Sequence, residues 1–309
     1  MAEEVKLHEP WLVAVWPGMG NVALAAGYYL MAKLQMNVFA EFSPRELFDV
    51  EHVVVKEGLI RPGHMPRSRL FVWHSPQQKR DLVLFIGEAQ PPLGKYAFCR
   101  QLIQFAKQLG VERVFTFAAM ATEMRPEGTS HVFAAATDKE LLDELRQRDL
   151  TILEDGQIGG LNGILLGAAA EAGLRGGCLL GEMPHVFAQL PFPKASLAVL
   201  QAFTPMAGVE IDFSELAEQA TAIEQQLGEL LIQLEQQATG QTQPEEEAFN
   251  PQPSEEPRLS PEDERRVEKL FEQAAGDRSK GYELKRELDR LDVFKEYEDR
   301  FLDLFRKSG

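Results

Sequence analysis

Residues 12–30 read Leu-Val-Ala-Val-Trp, then Pro-Gly-Met-Gly-Asn, then Val-Ala-Leu-Ala-Ala-Gly-Tyr-Tyr-Leu. An apolar run of strand length, a glycine turn and an apolar run of helical length follow one another without a break. A strand with no polar face must be covered on both sides, which points to a largely parallel sheet sandwiched by helices. The turn admits two readings. Gly18-x-Gly20-x-x-Ala23 matches the loose dinucleotide fingerprint, and Glu41 stands about twenty residues on, closing the second predicted strand. Three details favour a close-packed structural turn instead: Pro17 sits between strand and first glycine, the next strand runs into Phe-Ser-Pro, and no second βαβ half of the same pattern follows.

The same alternation continues through the first two-thirds of the chain. Strands are expected at Trp11–Trp16, Asn37–Phe42, Val53–Val55, Leu70–His74, Leu82–Ile86, Val111–Phe117, His131–Ala136, Thr151–Leu153 and Gly177–Leu180. Helices are expected at Asn21–Gln35, Lys95–Leu109, Asp138–Arg148, Gly160–Ala172 and Lys194–Met206, with Gly110 as a stop signal and Thr137-Asp138 as a start. Between Glu51 and Arg80 the turn signals Pro62-Gly63 and Ser75-Pro76 predict antiparallel strands inserted into the pattern. The expected fold class is α/β, with a mixed, mainly parallel sheet between two helical layers and a C-terminal helical extension.

Composition changes after the α/β region, taken as residues 1–213. Residues 214–238 form a long amphipathic helix, with Leu216, Ile223, Leu227, Leu230, Leu231 and Leu234 at helical spacing. Residues 239–260 are acidic and proline-rich, too polar to build a core, and read as a flexible linker. Residues 261–309 read as a helical hairpin, with helices at Pro261–Ala275 and Gly281–Arg306. Ser260-Pro261-Glu-Asp-Glu264 supplies an N-cap, a proline at the first helical position and acids in the first turn. Its apolar stripe, Leu284 to Phe305, is either a docking element, exchanged between subunits or offered to a partner, or a hairpin packed on its own chain.

The formal charge is −16. Nucleic-acid binders concentrate Lys and Arg, so no nucleic-acid partner is expected unless the fold gathers Arg61, Arg67, Arg69 and Arg80 on one face. Cys99 and Cys178 are the two cysteines, 79 positions apart and each in an apolar stretch, which leaves no material for a disulfide framework. A reducing cytoplasm is the expected compartment. The N-terminus lacks a signal-peptide pattern, and no window approaches a membrane span. The six histidines have no metal-ligand spacing, and neither a G-x-S-x-G elbow nor a Walker loop is present. No catalytic residue, metal or cofactor is expected. Ser75, His74 and Asp81 are near in sequence, but a triad is assembled in space.

Ligands of open α/β sheets bind outside the carboxyl ends of the strands. The residues expected there are Gly18, Gly20, Asn21, Glu88, Gln90, Glu123 and Glu182, joined by Gly159 and Gly160 from the glycine-rich stretch Gly156–Gly167, with His185 nearby. Carboxylates so placed suit acid and base work if brought together, or serve to cap helices and tie loops. The small residues of Gly156–Gly167 equally suit close helix packing.

Several stretches in order carry a family resemblance: Trp16-Pro-Gly-Met-Gly-Asn-Val-Ala23, Asp81-Leu-Val-Leu-Phe-Ile-Gly-Glu-Ala-Gln-Pro91, Gly156-Gln-Ile-Gly-Gly-Leu-Asn-Gly163, Gly177-Cys-Leu-Leu-Gly-Glu-Met183 and Pro193-Lys-Ala-Ser-Leu-Ala-Val-Leu200. Over roughly residues 10 to 213 the chain resembles the proteasome assembly chaperone 2 family. The resemblance implies a phosphorylase/hydrolase-like three-layer α/β/α fold, trimeric or ring-like homo-oligomers, and assembly-chaperone or scaffold activity without catalysis. Some members end in a hydrophobic-Tyr-any tripeptide that docks on the proteasome. Phe305-Arg-Lys-Ser-Gly309 does not match it.

Two functions are therefore carried forward. The first is a non-catalytic, oligomeric assembly-chaperone-like or scaffold protein with protein partners and self-association. The alternative is an enzyme or sensor binding a nucleotide or amino-acid derivative in the strand-end crevice.

Overall fold

The apolar runs become strands and the periodic segments between them become helices. The computed structural model describes residues 6–42, 47–48, 53–56, 58–61, 65–77, 79–148, 150–239 and 259–306. The strands are β1 (Trp11–Val15), β2 (Asn37–Glu41), β3 (Val54–Lys56), β4 (Leu59–Arg61), β5 (Ser68–Trp73), β6 (Leu82–Gly87), β7 (Arg113–Thr122), β8 (Val132–Ala136), β9 (Thr151–Ile152) and β10 (Arg175–Pro184). The helices are α1 (Val22–Lys33), α2 (Lys95–Gln108), α3 (Lys139–Arg146), α4 (Gly160–Glu171), α5 (Pro193–Ala207), α6 (Ser214–Thr239), α7 (Pro261–Gly276), α8 (Gly281–Arg290) and α9 (Phe294–Asp303).

Eight strands form one sheet in the order β2-β5-β6-β1-β7-β10-β8-β9. The central four, β6, β1, β7 and β10, run parallel. β5 returns antiparallel beside β6, β2 antiparallel beside β5, and β8 antiparallel beside β10. β3 and β4 pair separately as a small antiparallel hairpin, and β4 was not expected from the sequence. Strands β7 and β10 pair in register from Arg113↔Arg175 to Thr122↔Pro184, longer at their carboxyl ends than expected. Their extensions, Ala-Ala-Met-Ala-Thr and Gly-Glu-Met-Pro, hold one β-branched residue, Thr122, and no aromatic, too weak a strand signal alone, and pairing with the neighbour extends them.

Strict alternation along β1 divides the core. Trp11, Val13 and Val15 face the layer containing α1 and α5, whereas Leu12, Ala14 and Trp16 face the layer containing α2 and α4. Gly27 lets α1 lie close on the sheet, since a Cβ there would stand 2.7 Å from Val15 Cγ2. α1 is buried on all sides, from Val22 through Ala32, so its outer face needs a cover of its own.

The C-terminal helices are that cover. The Tyr28 hydroxyl donates to Glu298 Oε1 at 2.9 Å in a buried site, and the Tyr28 ring meets Phe294 and Phe301 edge-on. Tyr29 meets Tyr282 edge-on, and Tyr282 Oη donates to Gln219 Oε1 at 2.6 Å. Val38 N–H of edge strand β2 donates to the Phe305 carbonyl at 2.8 Å, and Arg278 donates to Asn37 Oδ1 at 2.7 Å. Of the two readings of the apolar stripe, the hairpin-like packing on its own chain is the one observed, because α1 presents a second apolar face to be covered. Ser260 caps α7 as expected, its Oγ accepting from Asp263 N–H at 3.1 Å. The segment expected as one helix from Gly281 to Arg306 is instead α8 and α9, broken where Asp292 takes a left-handed conformation (φ 57°). Of the linker expected over 239–260, residues 240–258 lie outside the described residues, as do Pro62-Gly63 and the last three residues, while Thr239 ends α6 and Ser260 caps α7.

Candidate functional site

The carboxyl ends of β1, β6, β7 and β10 bring the expected residues to one end of the sheet, but into separate groups. The glycine turn after β1 is the first. Gly20 and Asn21 are both left-handed (φ 60° and 52°). Gly20 N–H donates to the Ala188 carbonyl and the Gly20 carbonyl accepts from Phe192 N–H, each at 2.9 Å, while Asn21 N–H closes on the Gly18 carbonyl at 3.1 Å. A pyrophosphate-binding turn leaves its amides free for the ligand. Here those of Gly20 and Asn21 hold the loop between β10 and α5 and the turn itself. A Cβ on Gly20 would stand 2.6 Å from Met183 Sδ of β10, so the glycine is a packing requirement. The observed geometry is that of the close-packed turn.

Gln90 is the second group. Its Nε2 donates to the Pro17 carbonyl at 3.1 Å and its Oε1 accepts from Leu161 N–H at 3.2 Å, so one amide bridges the β1 turn and the first turn of α4. Gly160 (φ 66°) makes room for it, since a Cβ there would lie 3.0 Å from Gln90 Oε1. Gly159 is the N-cap of α4 and faces open space. Of the amides at the start of α4, that of Leu161 is already bound by Gln90.

Glu88 does not join them. Its Oε1 pairs with Arg69 at 3.2 Å, and its Oε2 accepts from Arg67 N–H at 2.8 Å. Arg69, itself buried, also pairs with Asp299 of α9, so Glu88 belongs to a chain of charges tying the sheet to the C-terminal helices. Charged groups this deep are costly unless paired, and each here has its partner.

Glu182 makes the fourth group, with Thr122 and His131. Glu182 Oε1 accepts from Thr122 Oγ1 at 2.8 Å, and Oε2 lies 2.8 Å from His131 Nδ1. Burial acts to raise its pKa, but the donors from His131 and Thr122 outweigh it and hold the carboxyl below the usual carboxylate range. A carboxylate so held is ionised and occupied, the opposite of a general acid. Glu123 is 92% exposed and lies 3.5 Å from His185 Nδ1, which also faces the Thr122 carbonyl at 3.2 Å.

Arg69, named from the sequence only for its charge, and Thr122 and His131 were not expected at these groups and are recognised only once β5, β7 and β8 are paired with their neighbours. At the opposite end of the sheet, Asp81 binds His74 Nδ1 at 2.9 Å and the backbone N–H of Ser75 and of His8, each at 3.0 Å. Ser75 gives its amide rather than its hydroxyl, so the three residues tie the β5–β6 turn and form no nucleophile relay. Among the described residues, no group of three or more His, Cys, Asp or Glu side chains is gathered to hold a metal ion. A groove of about 410 Å³ between α2 and α4, lined by Arg100, Gln104, Lys107 and Glu171, contains none of the expected residues.

Beside Glu123 and His185, the strand-end face exposes apolar side chains. Met19 of the turn, Leu93 after β6, and Val186 and Leu190 after β10 are between 39% and 80% exposed. The bonds of Gly20 to Ala188 and Phe192 tie the turn carrying Met19 to the loop carrying Val186 and Leu190, and Gln90 ties the β6 loop to the same turn.

The model of the PAC2 family matches residues 12–231. The chain belongs to the PAC2 family. Among solved structures it is similar to PbaB of Pyrococcus furiosus, an archaeal proteasome activator, at 26% identity and a TM-score of 0.63, covering 76% of this chain and 96% of that one. A PAC2 family protein of Streptomyces avermitilis is 29% identical with a TM-score of 0.61, over 72% of this chain and 95% of that one. An uncharacterized protein of Methanocaldococcus jannaschii is 27% identical over 71% of this chain and 82% of its own length. The family match ends inside α6, and α7–α9 lie beyond it. Among the described residues no helix is long and apolar enough to cross a membrane.

Proposed function

We propose that this PAC2 family chain is a non-catalytic, assembly-chaperone-like scaffold that holds protein partners and copies of itself. One observation carries it. At the strand-end face, where an enzyme of this architecture would present free amides and acids, Gly20, Gln90 and Glu182 are engaged within the chain, while Met19, Leu93, Val186 and Leu190 stand in solvent. Exposed apolar residues clustered on one face and rimmed by polar groups suit a protein surface better than a small molecule. The similarity to an archaeal proteasome activator supports a role in assembly or activation of another protein complex, reached through that face.

The test uses the full chain with Leu93→Glu and Val186→Glu together. Both side chains are exposed, so folding is retained, and proteins that copurify with the wild-type chain are lost from the variant. Unchanged capture by the variant removes the face from the reading. A thermal-shift screen with nucleotides and amino-acid derivatives separates the rival: a ligand at a hundred times its Kd adds about 2.7 kcal/mol, and a shift abolished by Gln90→Ala would favour the crevice.

A further inference from the structure

α6 carries Leu216, Ala220, Ile223, Leu227, Leu230 and Leu234, an apolar row whose members stand alternately four and three apart. That is the spacing of a coiled-coil seam. The first half of the row lies inside the chain: Leu216, Ala220 and Leu227 are buried, and Lys194 of α5 pairs with Glu224 at 2.7 Å. In the same register the row then opens to solvent, with Leu230 37% and Leu234 46% exposed. Arg125 holds this half through Glu235 at 2.8 Å, so the open half remains an extension of an anchored helix. A segment too short to be helical alone is thereby preorganised.

We propose that the open half of the α6 seam, centred on Leu230 and Leu234, docks on the same half of α6 in a second copy of this chain. The proposal rests on the self-association named above and assigns its surface. Charge selects the copy. With a net charge of −16, most of this chain's surface repels another copy. The seam is the exception. The positions flanking it on one side are Gln219, Gln226 and Gln233, three neutral amides where acids would set copy against copy. On the other side stand Ala217, Glu224 and Leu231, and Glu224 already faces Lys194. At the open half the two acids of α6, Glu229 and Glu235, lie off the flanking positions and Glu235 is paired with Arg125, so an identical helix meets leucines and glutamines across the seam rather than opposed acids.

The native mass of the full chain, followed by sedimentation over a range of concentrations, tests it. The wild-type chain is expected at a multiple of 34.7 kDa and the Leu230→Glu/Leu234→Glu chain at 34.7 kDa itself, with the thermal midpoint of the wild-type chain diluted to monomer. Under mild oxidation Leu230→Cys, alone or mixed with Leu234→Cys, is expected to link copies, while Ile232→Cys, exposed but off the seam, does not. Native Cys99 and Cys178 are buried and do not compete. If the double variant keeps the wild-type mass, or Ile232→Cys links as readily as Leu230→Cys, the seam is wrong and self-association stands. A wild-type chain of 34.7 kDa at every concentration overturns both. A double variant that melts earlier than the wild-type chain diluted to monomer shows the seam covered by its own chain and overturns the docking.

Discussion

Replacing Gly20 by alanine sets the packing account of the glycine turn against the cofactor account. At φ 60° an L-residue costs about 1–2 kcal/mol relative to glycine. The new Cβ would stand 2.6 Å from Met183 Sδ and 2.8 Å from its methyl carbon, and Met183 is fully buried, so the thioether must repack. Overpacking of this kind costs about 1–3 kcal/mol. Together the two amount to roughly 2–5 kcal/mol, which for a body of this size lowers Tm by roughly 3–8 °C. Gly18 is the internal control. It is extended (φ −169°), with no atom within 4 Å of a would-be Cβ, so Gly18→Ala is expected to change stability by less than about 0.5 kcal/mol. The assay is thermal unfolding without ligand, read by the fluorescence of buried Trp11 and Trp16, which lie on opposite faces of β1. A Gly20→Ala midpoint indistinguishable from wild type, or a Gly18→Ala chain damaged equally, would refute the reasoning. A turn kept for pyrophosphate predicts that neither glycine matters until ligand is added.

Two further outcomes follow from the side-chain chemistry. The Glu182 carboxyl is held below its unfolded value, so its stabilisation is complete above about pH 4.3 and disappears as pH falls through the depressed folded pKa. Glu182→Gln is expected to lose about 1–3 kcal/mol at pH 5 to 6 in urea unfolding, with the gap to wild type closing on acidification; a gap that widens instead contradicts the assignment. Burial pushes the thiols of Cys99 and Cys178 up to about 12, so neither is expected to react with a thiol reagent at pH 8 until the chain unfolds. Stoichiometric labelling of the native chain would show that the core around α2 or β10 opens.

The α/β framework was legible because its central strands have no polar face. Leu-Val-Leu-Phe-Ile86 and Leu-Val-Ala-Val-Trp16 fit few environments other than the middle of a covered sheet, and the glycine and capping signals around them mark helix ends. The carboxyl ends of β7 and β10 were not legible, since Ala119–Thr122 and Gly181–Pro184 are extended by each other rather than by their own preference. The site was legible as a location. Gln90, Gly160 and Gly20 do meet around the β1 turn, but the list of acids did not reveal what each binds. Glu88 finds Arg69, which in turn finds Asp299, 230 positions away, and no local pattern encodes such a chain. The C-terminal stripe was visible as amphipathic, yet the surface it covers is visible only in α1, whose lack of a polar face is the complementary signal.

The blunted sheet edges reach beyond this fold. On one side the edge strand β2 gives the N–H of Val38 to the carbonyl of Phe305; on the other, the sheet ends in β9, two residues long. Neither side offers a template for another chain to continue the ladder. Self-association and partner capture as proposed above would therefore not extend the eight-stranded sheet but rest on the shape and charge of side chains, contacts that single substitutions can tune.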